Sequence, residues 1–179
     1  MLQTKRLKLI PFDEPHFDIL LRNDMTLLGR LLDIETPKTW TTFDDMNEAL
    51  PSILQTYRLN GSTWGGYFII EKMDRQLLGT CGFKGSPDSG EEKGIVEIGY
   101  EIHTDYRLRG LATEVARCLV TFAFQDARVN IVCAHTLADT TPSVSVLKKI
   151  GFRFAGQFFN PDDGDIWRWE VVREGFIAA

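Results

Sequence analysis

The sequence predicts a single domain over residues 1–179 of the mixed α/β class, in which a mostly antiparallel sheet of about seven strands is flanked by about four helices. The first observation behind this is size, because 179 residues can bury one sizeable core. The second is composition, since 44% apolar and 25% charged residues are ordinary for a globular protein. The third is periodicity: alternating segments stand before, between and after segments of helical period, without a regular strand-helix alternation.

The N-terminal half predicts a strand, several helices and a hairpin. Residues 4–11 alternate polar and apolar side chains until a proline ends the pattern, which indicates a half-exposed strand. One helix, or two short ones, should begin after the capping residue Asp13, which is followed by Pro15. Another helix ends at Gly61, with Pro51 as a candidate kink. The stretch "WGGYFIIEKMDRQLLGTCGFKG" is typical of two strands joined at "MDRQ".

The C-terminal half predicts four strands and two helices. The segment "IVEIGYEIH" alternates, an amphipathic helix follows over about 110–127, and "NIVCAHTL" is a short buried strand. A second helix, "TPSVSVLKKIG", has Pro142 in its first turn and ends at Gly151. The segments "FRFAGQFFN" and "DIWRWEVVRE" complete the sheet as strands.

Charge and cysteine usage narrow the functional class. A net charge of −5 argues against nucleic acid and anionic membranes as partners, because both require a basic face. Cys81, Cys118 and Cys133 lie in apolar surroundings without CxxC spacing, which favours reduced core thiols. The start "MLQTKRLKLIPF" has no signal-peptide pattern, and no apolar run approaches membrane-spanning length. These features predict a cytoplasmic protein.

The sequence predicts no metal site and no covalent intermediate. His16, His103 and His135 share no ligand spacing, so each is expected to be structural or exposed. Cys81 stands between two glycines on an expected core strand, which disfavours it as a nucleophile.

The segment "HTDYRLRGLATEVARCLV" predicts an anion site at a helix start. Free N–H groups and the helix dipole already make this end positive, yet Arg107 and Arg109 add charge there. Gly110 and Ala112 lack bulk, so a phosphate can approach the backbone closely. Neither a P-loop nor a GxGxxG dinucleotide fingerprint is present.

The hexapeptide "RLRGLA" instead matches R/QxxGxG/A, the pyrophosphate loop of the GCN5-related N-acetyltransferases (GNAT). The chain resembles that family, and its RimJ/RimL-like branch, through "TKRLKLIPF", "LLGTCGF", "VEIGYEIHTDYRLRGLATE" and "ADTTPSVSVLKKIGF", in the family's order. The resemblance implies the acyl-CoA N-acyltransferase fold and acetyl transfer from acetyl-CoA to a primary amine. It implies that the coenzyme is bound by Glu101, Ile102, Arg107, Arg109, Gly110, Leu111, Ala112, Thr113 and Thr140.

The resemblance also implies which groups take part in the reaction. A bulge in "YEIH" should splay that strand from "CAHTL" and leave backbone N–H groups around Glu101 and Ile102 for the acetyl carbonyl and the pantetheine arm. Glu97 is the first candidate for the general base, with Glu101 or a water chain as alternatives. Ser143 should lie near the coenzyme sulfur and serve the leaving thiolate.

Some assignments within this resemblance stay open. Thr140 stands where the branch usually has Asn, and its hydroxyl can still cap the following helix. Tyr100 and Tyr106 are alternative phenol donors, although aromatic residues on alternating strands are more often core. One of the tryptophans, with Trp64 favoured, should line the acceptor cleft.

The acceptor and the assembly are not determined by the sequence. A protein N-terminal α-amine and a small-molecule amine are both compatible with it, as is a homodimer. The alternative function is a noncatalytic acyl-CoA-binding module on the same fold, and a nucleotide-binding regulatory protein is more distant.

Overall fold

The alternating and helical segments form a mixed sheet and a set of α-helices in a computed structural model that describes residues 1–43, 46–90, 92–161 and 163–176. The strands within these ranges are β1 (Leu2–Gln3), β2 (Leu7–Pro11), β3 (Gly66–Glu71), β4 (Leu77–Phe83), β5 (Ile95–Ile102), β6 (Ile131–Leu137), β7 (Arg153–Asn160) and β8 (Gly164–Val172). The α-helices are α1 (Glu14–Leu21), α2 (Met25–Leu32), α3 (Met46–Asn60), α4 (Leu111–Ala123) and α5 (Pro142–Lys149).

The eight strands form one sheet in the order β1-β2-β3-β4-β5-β6-β8-β7. Neighbouring strands are antiparallel except β5 and β6, which are parallel. The mixed, mostly antiparallel sheet predicted from the sequence is confirmed, with one strand and one helix more than expected. The additional strand is the two-residue β1, which pairs with Lys8 and Leu9 of β2. The region after Asp13 forms two short helices, and Pro51 lies inside α3 without ending it.

Two hydrophobic clusters lie on opposite faces of the sheet. On one face, α4 buries Leu111, Val115 and Leu119 against a cluster that includes Val96 and Ile98 of β5. On the other face, α1, α2 and α3 cover only the half of the sheet around β2, β3 and β4. Polar side chains of β5, β6 and β8 occupy the uncovered part of that second face, which sets the position of the site described below.

The parallel pairing of β5 with β6 ends after three residues. Ile95, Val96 and Glu97 pair with β6, the last of them with Cys133, and beyond this point β5 pairs only with β4. The two strands therefore diverge and leave a notch between residues 98–102 and residues 134–137. The splay implied by the family resemblance is present, but the implied bulge is not, because β5 keeps a one-to-one register with β4 from Ile98 to Ile102.

Candidate functional site

A cavity of about 720 Å³ opens at the notch. Strands β4, β5 and β6 form one wall, and α3 together with Trp40 and Phe43 forms the opposite one. Aromatic and aliphatic side chains dominate this second wall, whereas Glu101, Tyr100, His135 and other polar groups lie on the sheet. The cavity passes through the notch to the first turn of α5, so it connects the two faces of the sheet.

Backbone donors of β5 point into the notch in a pattern set by strand register. The backbone N–H of Lys84 donates to the carbonyl of Glu97, and that of His103 donates to the carbonyl of Leu78. Both residue pairs therefore belong to the hydrogen-bonded set of the β4–β5 ladder. Alternation along β5 then gives the backbone of Gly99 and Glu101 to β4, and turns the N–H groups of Tyr100 and Ile102 toward β6. The predicted backbone role is therefore geometrically available at Ile102 and not at Glu101.

The Glu101 carboxylate serves a different purpose from a free base. It is buried and accepts hydrogen bonds from the Thr41 hydroxyl at 2.7 Å and from the backbone N–H and hydroxyl of Thr42. These threonines belong to the segment that carries Trp40 and Phe43 over the cavity. A buried carboxylate with several donors is satisfied structurally, so Glu101 fixes the cavity wall.

Helix α4 begins without a side-chain cap. Gly110 stands at its N-cap with φ of +74°, and no side-chain oxygen caps the first N–H groups of this helix within the described residues. A Cβ at Gly110 would meet only the Nη2 atom of Arg6, 3.8 Å away. The N–H groups of Leu111, Ala112 and Thr113 therefore face open space at the positive end of a 13-residue helix.

The two predicted arginines surround this helix start but already hold protein groups. Arg109 forms an ion pair with Glu71, with 2.7 Å between Nη2 and Oε1. Arg107 donates through Nε to the Ile102 carbonyl at 2.8 Å and through Nη2 to the Thr42 hydroxyl at 3.2 Å. Both residues are exposed, so each side chain can turn to an anion if it gives up its present partners.

A third cation at this position was missed by the sequence reasoning. Arg6 pairs with Glu114 at 2.7 Å and donates through Nη1 to the Arg109 carbonyl at 3.0 Å. Glu114 also accepts hydrogen bonds from Thr4 and from the Arg6 backbone N–H. Arg6 thus neutralises the acidic residue in the first turn of α4. No local signal reveals this, because the partners are 108 residues apart.

Glu97 lies at the base of the notch within a polar cluster. Its Oε1 atom contacts Nδ1 of His135 at 2.9 Å and the Lys84 ammonium. Burial is the largest single influence and raises the pKa of Glu97, but the hydrogen bond from His135 and the charge of Lys84 together outweigh it and lower the pKa. The carboxylate is therefore ionised and engaged by two partners, His135 and Lys84.

Ser143 and Tyr100 lie opposite each other across the notch. Ser143 is the second residue of α5, and its backbone carbonyl accepts a hydrogen bond of 3.4 Å from the Tyr100 hydroxyl. Burial raises the pKa of Tyr100 to about 12, so this phenol keeps its proton near neutral pH. The capping prediction for Thr140 is wrong: Thr141 is the N-cap and accepts from the Val144 N–H, while the Thr140 N–H bonds to Asp139.

The aromatic wall also corrects one expectation. Trp64 packs in the core against Phe83 and Phe122, whereas Trp40 lines the cavity. Tyr106 lies in the loop before α4, outside the cavity lining. Among the described residues, no group of three or more His, Cys, Asp or Glu could hold a metal ion, and no helix could span a membrane.

Comparison with known proteins identifies relatives along almost the whole chain. A family model described as the acetyltransferase (GNAT) domain matches residues 6–153. The N-acetyltransferase YjdG of Bacillus subtilis (strain 168) is 30% identical over 154 residues, which are 85% of this chain and 89% of that protein.

Solved structures share the fold at low sequence identity. RimL, a ribosomal L7/L12 α-N-protein acetyltransferase in complex with coenzyme A, superimposes with a TM-score of 0.64 at 15% identity, covering 94% of this chain and 95% of the other. The ribosomal-protein-S5-alanine acetyltransferase of Vibrio fischeri gives 0.65 at 12% identity, covering 98% and 97%.

Proposed function

The chain belongs to the acetyltransferase (GNAT) family, and from this premise we propose that it moves the acetyl group of acetyl-CoA directly to a primary amine held in the cavity at the notch. The observation that carries the proposal is the continuity of three features. Arg107 links them, because it lies just before the uncapped start of α4 and hydrogen-bonds to Ile102 at the end of β5 and to Thr42 in the segment over the cavity.

The start of α4 suits the pyrophosphate of coenzyme A. Three N–H groups, the helix dipole and the nearby side chains of Arg6, Arg107 and Arg109 all favour an anion. Gly110 leaves room for close approach, because no backbone atom lies within 4 Å of where its Cβ would stand. Leu111, Ala112 and Thr113 would contribute their backbone N–H groups, and Leu111 would also anchor the turn in the core.

The notch suits the acyl end of the same molecule. The N–H groups of Tyr100 and Ile102 can donate to the pantetheine amide and to the acetyl carbonyl, whose oxygen becomes more negative during attack. Ser143 and Tyr100 each bring a hydroxyl to the notch, where a departing thiolate needs a hydrogen-bond donor.

The cavity favours an acceptor whose amine is attached to an apolar group. Phe12, Phe43, Met46 and Ile53 line it with apolar surface. Both a protein N-terminal α-amine beside a small or apolar side chain and a compact synthetic or metabolic amine meet this requirement. The structural similarity to RimL and to the S5-alanine acetyltransferase motivates testing the ribosomal N-termini first.

Two measurements test this function. Isothermal titration with coenzyme A measures whether the folded chain binds the coenzyme, and absence of binding at millimolar coenzyme A would contradict the proposal. Thiol release from acetyl-CoA with a panel of peptides and small amines then measures transfer. A chain that binds the coenzyme and transfers to no amine would instead be the noncatalytic binding module. We also propose a cytoplasmic location, in line with three free cysteines.

A further inference from the structure

His135 and Glu97 form a pair at the point where the notch opens. Glu97 is opposite Cys133 at the last paired position of β5 and β6, and His135 follows two residues later on the same face of β6. The distance of 2.9 Å joins Nδ1 of the imidazole to Oε1 of the carboxylate. The ring is therefore held from its Nδ1 side, and a carboxylate there fixes the proton on that nitrogen.

The other ring nitrogen, Nε2, is left available by this contact. His135 lines the cavity, and 22% of its side chain is exposed. The Phe158 ring stands perpendicular to the imidazole, with 5.3 Å between ring centres, and restricts its rotation.

We propose that His135 is the proton acceptor for the attacking amine and that Glu97 is the positioning residue behind it. The proposal rests on the proposed acetyl transfer and assigns its base. Glu97 is the weaker candidate, because its Oε1 atom already holds both His135 and Lys84. Its lowered pKa also makes it a weak base toward an ammonium group.

The proton balance of the step is simple. The acceptor ammonium gives one proton to Nε2 of His135, and the free amine forms a bond from its nitrogen to the thioester carbonyl carbon. The carbon–sulfur bond breaks, and the thiolate takes the second amine proton through the Ser143 hydroxyl or through water. The imidazolium, stabilised by the Glu97 carboxylate, then returns its proton to solvent.

The charges around His135 are compatible with this role. Glu97 faces it from β5, Lys84 from the end of β4, and Arg168 stands opposite it on β8. Arg168 is itself paired with Glu170 at 2.7 Å and with Glu92 at 2.9 Å, so its positive charge is compensated. The imidazolium formed during the step therefore gains the Glu97 charge without an uncompensated cation on its far side.

The test is chemical rescue of His135→Ala. Thiol release at saturating acetyl-CoA and acceptor should fall by roughly 10²- to 10⁴-fold, the usual contribution of a positioned base. Coenzyme A affinity should remain as in the wild type, and free imidazole should restore activity at least tenfold by entering the vacated space. Glu97→Gln, which keeps a hydrogen-bond acceptor for Nδ1 but removes the charge, should lose about tenfold in kcat.

His16→Gln is the matched control. His16 caps α1 by accepting the Asp13 N–H at 2.7 Å, and glutamine at this position can preserve the capping box. Its kcat should be unchanged and insensitive to imidazole. A His135→Ala chain that keeps its kcat within threefold, or that loses it without any rescue by imidazole, would overturn the assignment. An inactive wild type would refute the proposed function itself, and an active wild type with either of those results would refute the base alone.

Discussion

Helix α4 differs from α1, α2 and α5 in whether a side chain accepts hydrogen bonds from its first N–H groups. Asp13 caps α1, Asp24 caps α2 and Thr141 caps α5, each with a side-chain oxygen that accepts a backbone N–H. Helix α4 has Gly110 at the same position and no side-chain acceptor. At a capped start, a side-chain oxygen of the protein accepts one of the free N–H groups. An uncapped start with neighbouring arginines leaves these donors available to an anionic ligand.

The residues around the start of α4 also keep its first turn accessible to an anion. Glu114 would repel an anion from the first turn, but Thr4 and Arg6 hold its carboxylate, and Arg6 extends further to the Arg109 carbonyl. Contacts that stabilise this turn thus come from the segment between β1 and β2, so the helix start itself can remain without a cap. The comparison predicts that substitutions at α4 change binding, and that substitutions at the capped helices change stability.

The largest effect on coenzyme A affinity is expected from Gly110→Asp. The carboxylate would stand against the pyrophosphate, and the new Cβ would occupy the space of close approach at a residue with φ of +74°. Loss of a charge-assisted contact costs roughly 1.5–3 kcal/mol, so the Kd for coenzyme A should rise by at least about tenfold to a hundredfold. Titration calorimetry and a thermal melt on the same sample measure both quantities.

Gly110→Asn is the control for backbone strain, since it has the same shape without the charge and tolerates positive φ. It should bind coenzyme A more tightly than the Asp variant. Equal and unchanged affinity in folded forms of both variants would mean that the phosphates bind elsewhere.

A smaller loss of affinity is expected from Arg6→Gln. This change removes one cation and exposes the Glu114 charge at the helix start, so the Kd should rise by about three- to tenfold, a cost of about 1 kcal/mol. The double variant Arg6→Gln with Glu114→Gln should recover part of that loss, because the repelling charge is gone. A double variant that binds worse than Arg6→Gln would show that Glu114 does not repel the ligand.

At the capped helices, substitutions are expected to lower stability and to leave coenzyme A affinity unchanged. Asp24→Ala removes the oxygen that accepts the Leu27 N–H at 2.9 Å, and it should lower the free energy of unfolding by about 0.5–2 kcal/mol. The Kd for coenzyme A should stay as in the wild type. Asp24→Asn, which keeps an acceptor oxygen, should retain most of the stability in urea unfolding. A change in coenzyme affinity with Asp24→Ala would remove the division between the two kinds of helix start.

The sequence was sufficient for those features that local pattern encodes. Alternation, helical period and the positions of glycine and proline identified β2–β8 and the principal helices, and the small residues after Arg109 marked the helix start that we propose as the phosphate site. The two-residue β1 was missed because a pair of residues has no period, and its pairing with β2 depends on chain reversal.

Contacts between distant segments explain the remaining differences. The sequence leaves Glu101 as an alternative base. In the structure its carboxylate accepts hydrogen bonds from Thr41 and Thr42, which are about 60 residues away and carry no signal near Glu101. The pairing of Glu97 with His135 depends on the register of two parallel strands, which no spacing rule contains. The sequence likewise favours Trp64 as the tryptophan of the cavity wall, but packing places Trp40 there and Trp64 in the core.

The smallest predicted effect concerns acid stability at the start of α4. Burial is the largest single influence on Glu114 and raises its pKa, but the hydrogen bonds from Thr4 and Arg6 and the Arg6 charge together lower the pKa below the ordinary value. A carboxyl group with a lowered folded-state pKa stabilises the native state above its unfolded pKa of about 4.3, and this contribution disappears as pH falls through the folded value. Glu114→Gln should therefore be less stable than the wild type at neutral pH, and the two Tm values should converge on acidification to about pH 3. The convergence should not exceed about 4 °C, because 1 kcal/mol corresponds to about 2–4 °C in a chain of this length. A Tm difference that is constant with pH would mean that Glu114 acts on this helix start through its shape and hydrogen bonds, with no contribution from its charge.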